Sequence, residues 1–380
     1  MIYLDYAATT PISEEAMDIY IKASQDFYGN SSSLHDIGSR SLNLLETCRA
    51  ELAHMLNGEQ EGFYFTSGGS ESNILALKSL LDANSFKGNH VITTRCEHSS
   101  IHHLFQKMEK EGYEITYLPV DETGIASLED LKAAIKETTV LTSIQYVNSE
   151  IGTIQPIEEI GKLLDRRGVI FHCDAVQAFG KIKIDINQSK IDSLSISSHK
   201  IYGPKGVGAA YINPKLKWSA QIPATAHEKG FRPGTVNVPG IAGFVTAAKS
   251  VYDKMAEEYQ RISGLHAMMR DKLTALPAPI YIEGSSTGLP YVLGLRIEGM
   301  EGQYAMLECN RYGLAVSSGS ACQAGNQEPS PTLMALGRSE MEAKQLIRLS
   351  FGKQTTMEDI HITAEAFAKL VENYFPAIRR

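Results

Sequence analysis

"TVLTSIQYVNSEIGTIQPIEEIGKLLDRRGVIFHCDA" occupies residues 139–175. It opens on an apolar, β-rich run. Past a polar stretch, "IEEIGKLLDRRG" places apolar residues at helical spacing, and "GVIFHCDA" is a second apolar run ending near Asp174. Two near-continuous apolar strands joined by an amphipathic helix form the unit of a parallel sheet covered by helices on both faces.

The unit recurs outward from this stretch. "GFYFTS", "HVITT", "EITYLPV", "SLSISS" and "GAAYI" read as further strands, and "SESNILALKSLLDA", "SIHHLFQKMEKEG" and "SLEDLKAAIKE" as helices between them. The expected fold class is α/β, with a mixed, mostly parallel seven-stranded sheet in a large domain, residues 14–255. After about residue 250 the texture changes. One long helical stretch, "VYDKMAEEYQRISGLHAMMRDKLTAL", precedes "YVLGLRI", "GQYAMLECNRYG", "LAVSS", "LIRLSFG" and a last helix. Residues 1–13 and 256–380 are therefore expected to form a smaller α+β domain.

Composition excludes several classes of function. With 43% hydrophobic and 21% charged residues the chain can bury a substantial core, and a formal charge of −8 gives no global positive field for nucleic acid or anionic lipid. No apolar run approaches the roughly 20 residues that cross a bilayer, and "MIYLDYAATTPISEEA" lacks the features of a signal peptide, so a cytoplasmic location is expected. The five cysteines are odd in number, widely spaced and without a CxxC pair, which argues against a disulfide framework or zinc knuckle. Most are expected to be small buried apolar residues.

Ligands in parallel sheets gather at the carboxyl ends of the strands. Three such ends carry reactive groups. "FTSGGSESN" runs from a strand through Gly68, Gly69 and Ser70 into a helix, which reads equally as a phosphate cradle or as a capped turn. Asp174 ends an apolar strand with Gln177 close behind it; a carboxylate there needs a cationic partner unless it merely caps a helix. "SSHKIYGPKGVG", residues 197–208, sets Ser197, His199 and Lys200 at a third strand end. A lysine in a partly apolar pocket loses its proton more readily and becomes a nucleophile able to form a Schiff base, whereas an ordinary lysine is simply solvated. An anion cradle, a buried acid and an imine-forming amine together are what pyridoxal 5′-phosphate requires.

Two further stretches carry chemistry. In "TRCEHSSIHH", His98, His102 and His103 lack the HExxH pattern, so no metal site is expected from side-chain spacing. His98 is placed either to stack on a cofactor ring or to cap a helix. Cys322, in "LAVSSGSACQAGNQEPSP", sits among small polar residues and glycines, the setting of an exposed, reactive thiol.

Together these residues closely resemble the cysteine desulfurases of the NifS/IscS group, within the class-V aminotransferases of pyridoxal-phosphate fold type I. "YLDYAATTP", "GNSSSLHDIG", "FTSGGSESN", "EHSS", "HCDAVQAFGK", "SSHKIYGPKGVG", "RPGTVN", "SSGSAC" and "IRLSFG" stand in the family's order across nearly the whole chain. The resemblance implies that Lys200 forms the Schiff base, Asp174 pairs with the ring nitrogen, Gln177 bonds the ring's phenolic oxygen and His98 stacks on the ring. It further implies that Gly69, Ser70, Ser197 and His199 hold the phosphate, joined by Thr235 from the other subunit of a homodimer. Asn148 would touch coenzyme and substrate, Asn30 and Arg348 would receive the substrate carboxylate, and Cys322 would carry a persulfide, with a possible iron–sulfur contact.

The implied reaction takes sulfur from L-cysteine, leaves alanine, and passes the persulfide to a sulfur acceptor: an iron–sulfur scaffold, a thiolation enzyme or an iron–sulfur apoenzyme. A selenocysteine lyase or an aminotransferase on the same fold is the alternative, and a catalytically silent scaffold is a third. Two positions depart from the family's pattern. Ser149 stands where an asparagine is common, and "ATAHE" replaces a glycine-rich loop while keeping His227 and Glu228.

Overall fold

A computed structural model describes residues 1–222, 227–319 and 328–375. The central sheet has seven strands in the spatial order Phe63–Thr66, Gly208–Ile212, Ser193–Ser197, Ile170–Asp174, Thr139–Ser143, His90–Thr94 and Glu114–Leu118. Gly208–Ile212 runs antiparallel to both neighbours, and every other pairing is parallel. The five inner strands are buried along their whole length, as their near-continuous apolar sequence requires when helices cover both faces. The edge strand Glu114–Leu118 is half exposed and carries polar residues accordingly.

Phe63–Thr66, His90–Thr94, Ile170–Asp174 and Ser193–Ser197 all point the same way. The segments that follow them therefore meet at one edge of the sheet: Ser67 to Ser70, Glu97 and His98, the Asp174 end, and Ser198 to Lys200. A second, three-stranded antiparallel sheet runs Leu346–Ser350, Val292–Ile297, Ile280–Glu283. The chain's first residues, Ile2–Tyr3, pair in parallel with Leu314–Ala315.

Local chemistry explains most boundaries. Ser13 accepts the Ala16 N–H at the start of helix Glu14–Asp26, and His98 accepts the Ser100 N–H at the start of Ser99–Lys110. Thr356 and Asp359 close a reciprocal cap on the last helix, Met357–Tyr374. Two results differ from the sequence expectation. The long helical stretch after residue 250 is a break followed by Met255–Thr274, because Lys254 (φ −113°, ψ 5°) separates it from a preceding helix, Val238–Asp253. The strand Ile280–Glu283 emerges only through its pairing with Val292–Ile297. Cys48, Cys96, Cys173 and Cys309 are buried free thiols.

One buried ion pair ties a surface turn to the sheet. Arg49 reaches Glu228 through both guanidinium ends, at 2.9 and 3.0 Å, and Glu228 also accepts the Phe65 N–H at 2.6 Å. Both side chains are almost fully buried, so removing either leaves the other charge in a dry site. Arg49→Met is expected to lower stability by about 3–5 kcal/mol, read as the denaturant midpoint shift in a two-state unfolding curve. A loss below about 1 kcal/mol would show that the surroundings rehydrate Glu228.

Candidate active site

A cavity of about 150 Å³ opens where those strand ends converge. Lys200 ends the short turn Ser198–Lys200 that follows strand Ser193–Ser197, and its Nζ donates to the carbonyls of Ala7 at 2.6 Å and Ala8 at 2.7 Å. Asp174, the last residue of its strand, accepts the Asn73 amide at 2.8 Å on one oxygen and the Val176 N–H at 3.0 Å on the other. Asn73 is fixed in turn by His172, whose Nε2 lies 3.2 Å from its Oδ1. Burial pushes His172 down to about 3, so it is a neutral ring in the core.

The cavity wall suits an anion. Helix Gly69–Asn84 begins there, bringing unpaired first-turn N–H groups and the positive end of its dipole. The backbone must approach closely: a Cβ on Gly69 would lie 2.5 Å from Val176 Cγ2. Ser197 lines the same cavity, its Oγ buried and without a hydrogen-bond partner among the described residues. Beside it His199 meets Thr9 Oγ1 at 3.1 Å, and burial followed by the Lys200 cation pushes it down to about 4. A neutral imidazole, an orphaned hydroxyl and a helix start form a donor set that fits a phosphate.

Arg348 enters from strand Leu346–Ser350 and is 2% exposed. Its Nη2 donates to Asp5 at 2.8 Å and its Nη1 to the Ser149 carbonyl at 3.0 Å, while Nε has no partner among the described residues. Since a guanidinium has five N–H donors, these two bonds leave room for a carboxylate. His98 lines the same cavity, with Nδ1 2.8 Å from Ser100 Oγ. Capping and cavity lining are therefore both filled by one ring.

Gly69, Ser70, His98, Asp174, Gln177, Ser197, His199, Lys200 and Arg348 thus share one wall. Other expected residues lie elsewhere. Asn148 faces an adjoining cavity of about 320 Å³, bonded to the Cys96 carbonyl and Thr332, and Ser149 takes the position on the crevice. Asn30 and Thr235 are exposed and do not line the crevice of the single chain. Cys322 lies outside the described residues. Ser317, five positions earlier, is bridged to Arg348 through the backbone.

The sequence reading missed Asp5, Lys181 and the buried Glu97. Glu97 accepts Thr94 Oγ1 at 2.8 Å and the Gln145 N–H at 2.9 Å, and burial pushes it up to about 8. Its signal was only a charged residue directly after an apolar strand. Among the described residues, no group of three or more His, Cys, Asp or Glu is placed to hold a metal ion.

Residues 2–362 match the family described as Aminotransferase class-V. The chain is 47% identical to a Bacillus subtilis protein that carries the provisional name cysteine desulfurase NifS, over 98% of this chain and 95% of that one. A solved NifS-like protein superposes with a TM-score of 0.91 at 28% identity, covering 98% and 99% of the two chains. SspA, solved in complex with cysteine, superposes with a TM-score of 0.79 at 30% identity, covering 92% and 99%.

Ser197→Ala should weaken retention of pyridoxal 5′-phosphate by about 10-fold or more, the worth of one hydrogen bond to a charged group. Equilibrium dialysis of the coenzyme against both proteins checks this. Equal retention would mean that Ser197 does not face the phosphate.

Proposed function

This chain belongs to the class-V aminotransferase family, and we infer that it is a cysteine desulfurase: it removes sulfur from L-cysteine, leaving L-alanine and a persulfide on Cys322. The observation that carries the reading is the convergence of Lys200, Asp174 and the phosphate-type donor set on one cavity beside Arg348. The coenzyme is pyridoxal 5′-phosphate, which when bound supplies an electron sink for charge developing at the substrate's α-carbon.

The chain's own residues account for the rest. Lys200 Nζ is the group that takes and returns the α-proton, and the Ala7 and Ala8 carbonyls hold it at the crevice floor between transfers. Asp174, oriented by Asn73 and the Val176 N–H, favours a protonated ring nitrogen. Gly69, Ser70, Ser197 and His199 would hold the phosphate, and the ring of His98 would cover one face. Arg348 receives the substrate carboxylate through its remaining donors, in exchange with or alongside Asp5. Ser149, rather than Asn148, lies nearest to it.

The Cys322 thiolate then attacks the sulfur of cysteine: an S–S bond forms, the C–S bond breaks, and the carbon fragment takes up protons to leave as alanine. SspA in complex with cysteine supports this substrate. The persulfide would pass to an iron–sulfur scaffold, a thiolation enzyme or an iron–sulfur apoenzyme. Two copies would complete the site, Thr235 of one reaching the phosphate of the other, and exposed Tyr28, Leu34 and Ile37 near the first helices support such an interface. A cytoplasmic location fits this role, and among the described residues no helix is long and apolar enough to cross a membrane.

Lys200→Ala is expected to lose both the visible absorbance of bound coenzyme and all alanine formation. Cys322→Ser should stay coloured yet form no persulfide, measured by labelled-sulfur transfer from cysteine. Undiminished alanine formation by the Cys322→Ser protein would overturn Cys322 as the nucleophile that takes the sulfur.

A further inference from the structure

Lys181 is 8% exposed, and among the described residues no carboxylate lies within ion-pair distance of it. It closes the turn that follows strand Ile170–Asp174, four residues after Gln177. Lys181 lines a second cavity of about 190 Å³, which shares Lys200 with the crevice. A buried amine so placed is costly unless its donors are used. They are used on a single residue: Nζ donates to the Gln177 backbone carbonyl at 3.2 Å and to Gln177 Oε1 at 3.1 Å.

At its other end the Gln177 amide meets the Ala7 carbonyl, with Nε2 donating at 3.0 Å. A carbonyl oxygen can only accept, so the end facing Ala7 must be nitrogen and the end facing Lys181 oxygen. Nε2 carries two hydrogens. One goes to Ala7, whose carbonyl also receives Lys200 Nζ, and the other is the donor that Gln177 offers to the crevice it lines.

Burial first, then the Lys200 and Arg348 cations, push Lys181 down to about 7. A neutral amine still has two N–H donors, so the bonds to Gln177 stand in either protonation state.

We propose that Lys181 is a positioning residue for the coenzyme: by holding Gln177 Oε1 while the Ala7 carbonyl holds Nε2, it completes the clamp that aims the amide nitrogen at the ring's phenolic oxygen. The proposal rests on the reading of the crevice as a pyridoxal-phosphate site. Without Lys181, Oε1 is a buried acceptor lacking a donor, and only the Ala7 carbonyl is left to orient the amide, so Nε2 is held less firmly toward the ring.

The test is a pH titration of the visible absorbance of the loaded protein. A donor on the phenolic oxygen stabilises its anionic form and lowers the proton affinity of the neighbouring Lys200 nitrogen, so losing it raises the pH midpoint. Lys181→Met and Gln177→Ala should each raise that midpoint by about 0.5 to 1 pH unit, the scale of one charge-assisted hydrogen bond. Their combination should move it no further than the larger single change, because both act on one donor. An unmoved midpoint in Lys181→Met, or additive shifts in the double variant, would overturn the proposal.

Should the methionine variant fail to fold, Lys181→Gln keeps an N–H donor for Gln177, and its midpoint should stay close to wild type. A shift as large as that of Gln177→Ala would overturn the positioning role. A wild-type chain that takes up no coenzyme removes the crevice reading itself, whereas a coloured wild type with unmoved variants removes only the role of Lys181.

Discussion

The parallel pairing of Ile170–Asp174 with Ser193–Ser197, in the register that sets His172 beside Ser193 and Asp174 beside Ser195, is the constraint on which the site depends. Both strands are buried on both faces, so their apolar residues hold the register against a slip that would turn every side chain over. Each strand then stops at the same edge of the sheet, one in an acid and the other in the turn that carries Lys200. An amine and a carboxylate far apart in the chain come to face one cavity with no flexible segment between the sheet and either group. Preorganisation here is a property of sheet geometry, because moving either group would require moving a core strand.

A second constraint comes from the chain's start. Residues 5 to 10 run beside the crevice and bond four of its groups: Asp5 bonds Arg348, the Ala7 carbonyl receives Lys200 and Gln177, the Ala8 carbonyl receives Lys200, Thr9 meets His199, and Thr10 bonds the His199 carbonyl. Backbone carbonyls are suited to this because they satisfy an ammonium donor without adding a full negative charge. Arg348 carries its counter-ion in Asp5 and, lining the crevice, keeps N–H donors for an amino-acid carboxylate.

What the sequence made legible follows the same division. The apolar strand runs and the helices between them were readable because period and composition are local properties, and the reactive residues at strand ends were readable because the sheet class says where ligands gather. Asp5, Lys181 and the role of Asn73 were not. Asp5 reaches Arg348 across a separation of 343 residues, and Lys181 differs from a solvated lysine only through burial that the fold supplies. Asn148 shows the converse limit: resemblance marks a position, but the backbone turn at Asn148, where its Oδ1 accepts the Glu150 and Ile151 N–H groups, points that side chain away and leaves Ser149 at the crevice. The helix break at Lys254 had no proline or glycine to announce it.

The turn His227–Gly230 yields to the same reasoning. Glu228 and Lys229 occupy left-handed backbone conformations, φ 47° and 55°, which cost little for glycine and about 1 kcal/mol or more for other residues. Such strain persists only where the surroundings over-determine it. Glu228 meets that condition, because its carboxylate is held by both ends of Arg49 and by the Phe65 N–H inside the edge of the main sheet. The turn at Glu228 is thus pinned from within by an ion pair. His227, adjacent to the pinned residue, meets Ser32 Oγ at 3.2 Å, so the Arg49–Glu228 pair also sets where the loop carrying Asn30 sits relative to the sheet.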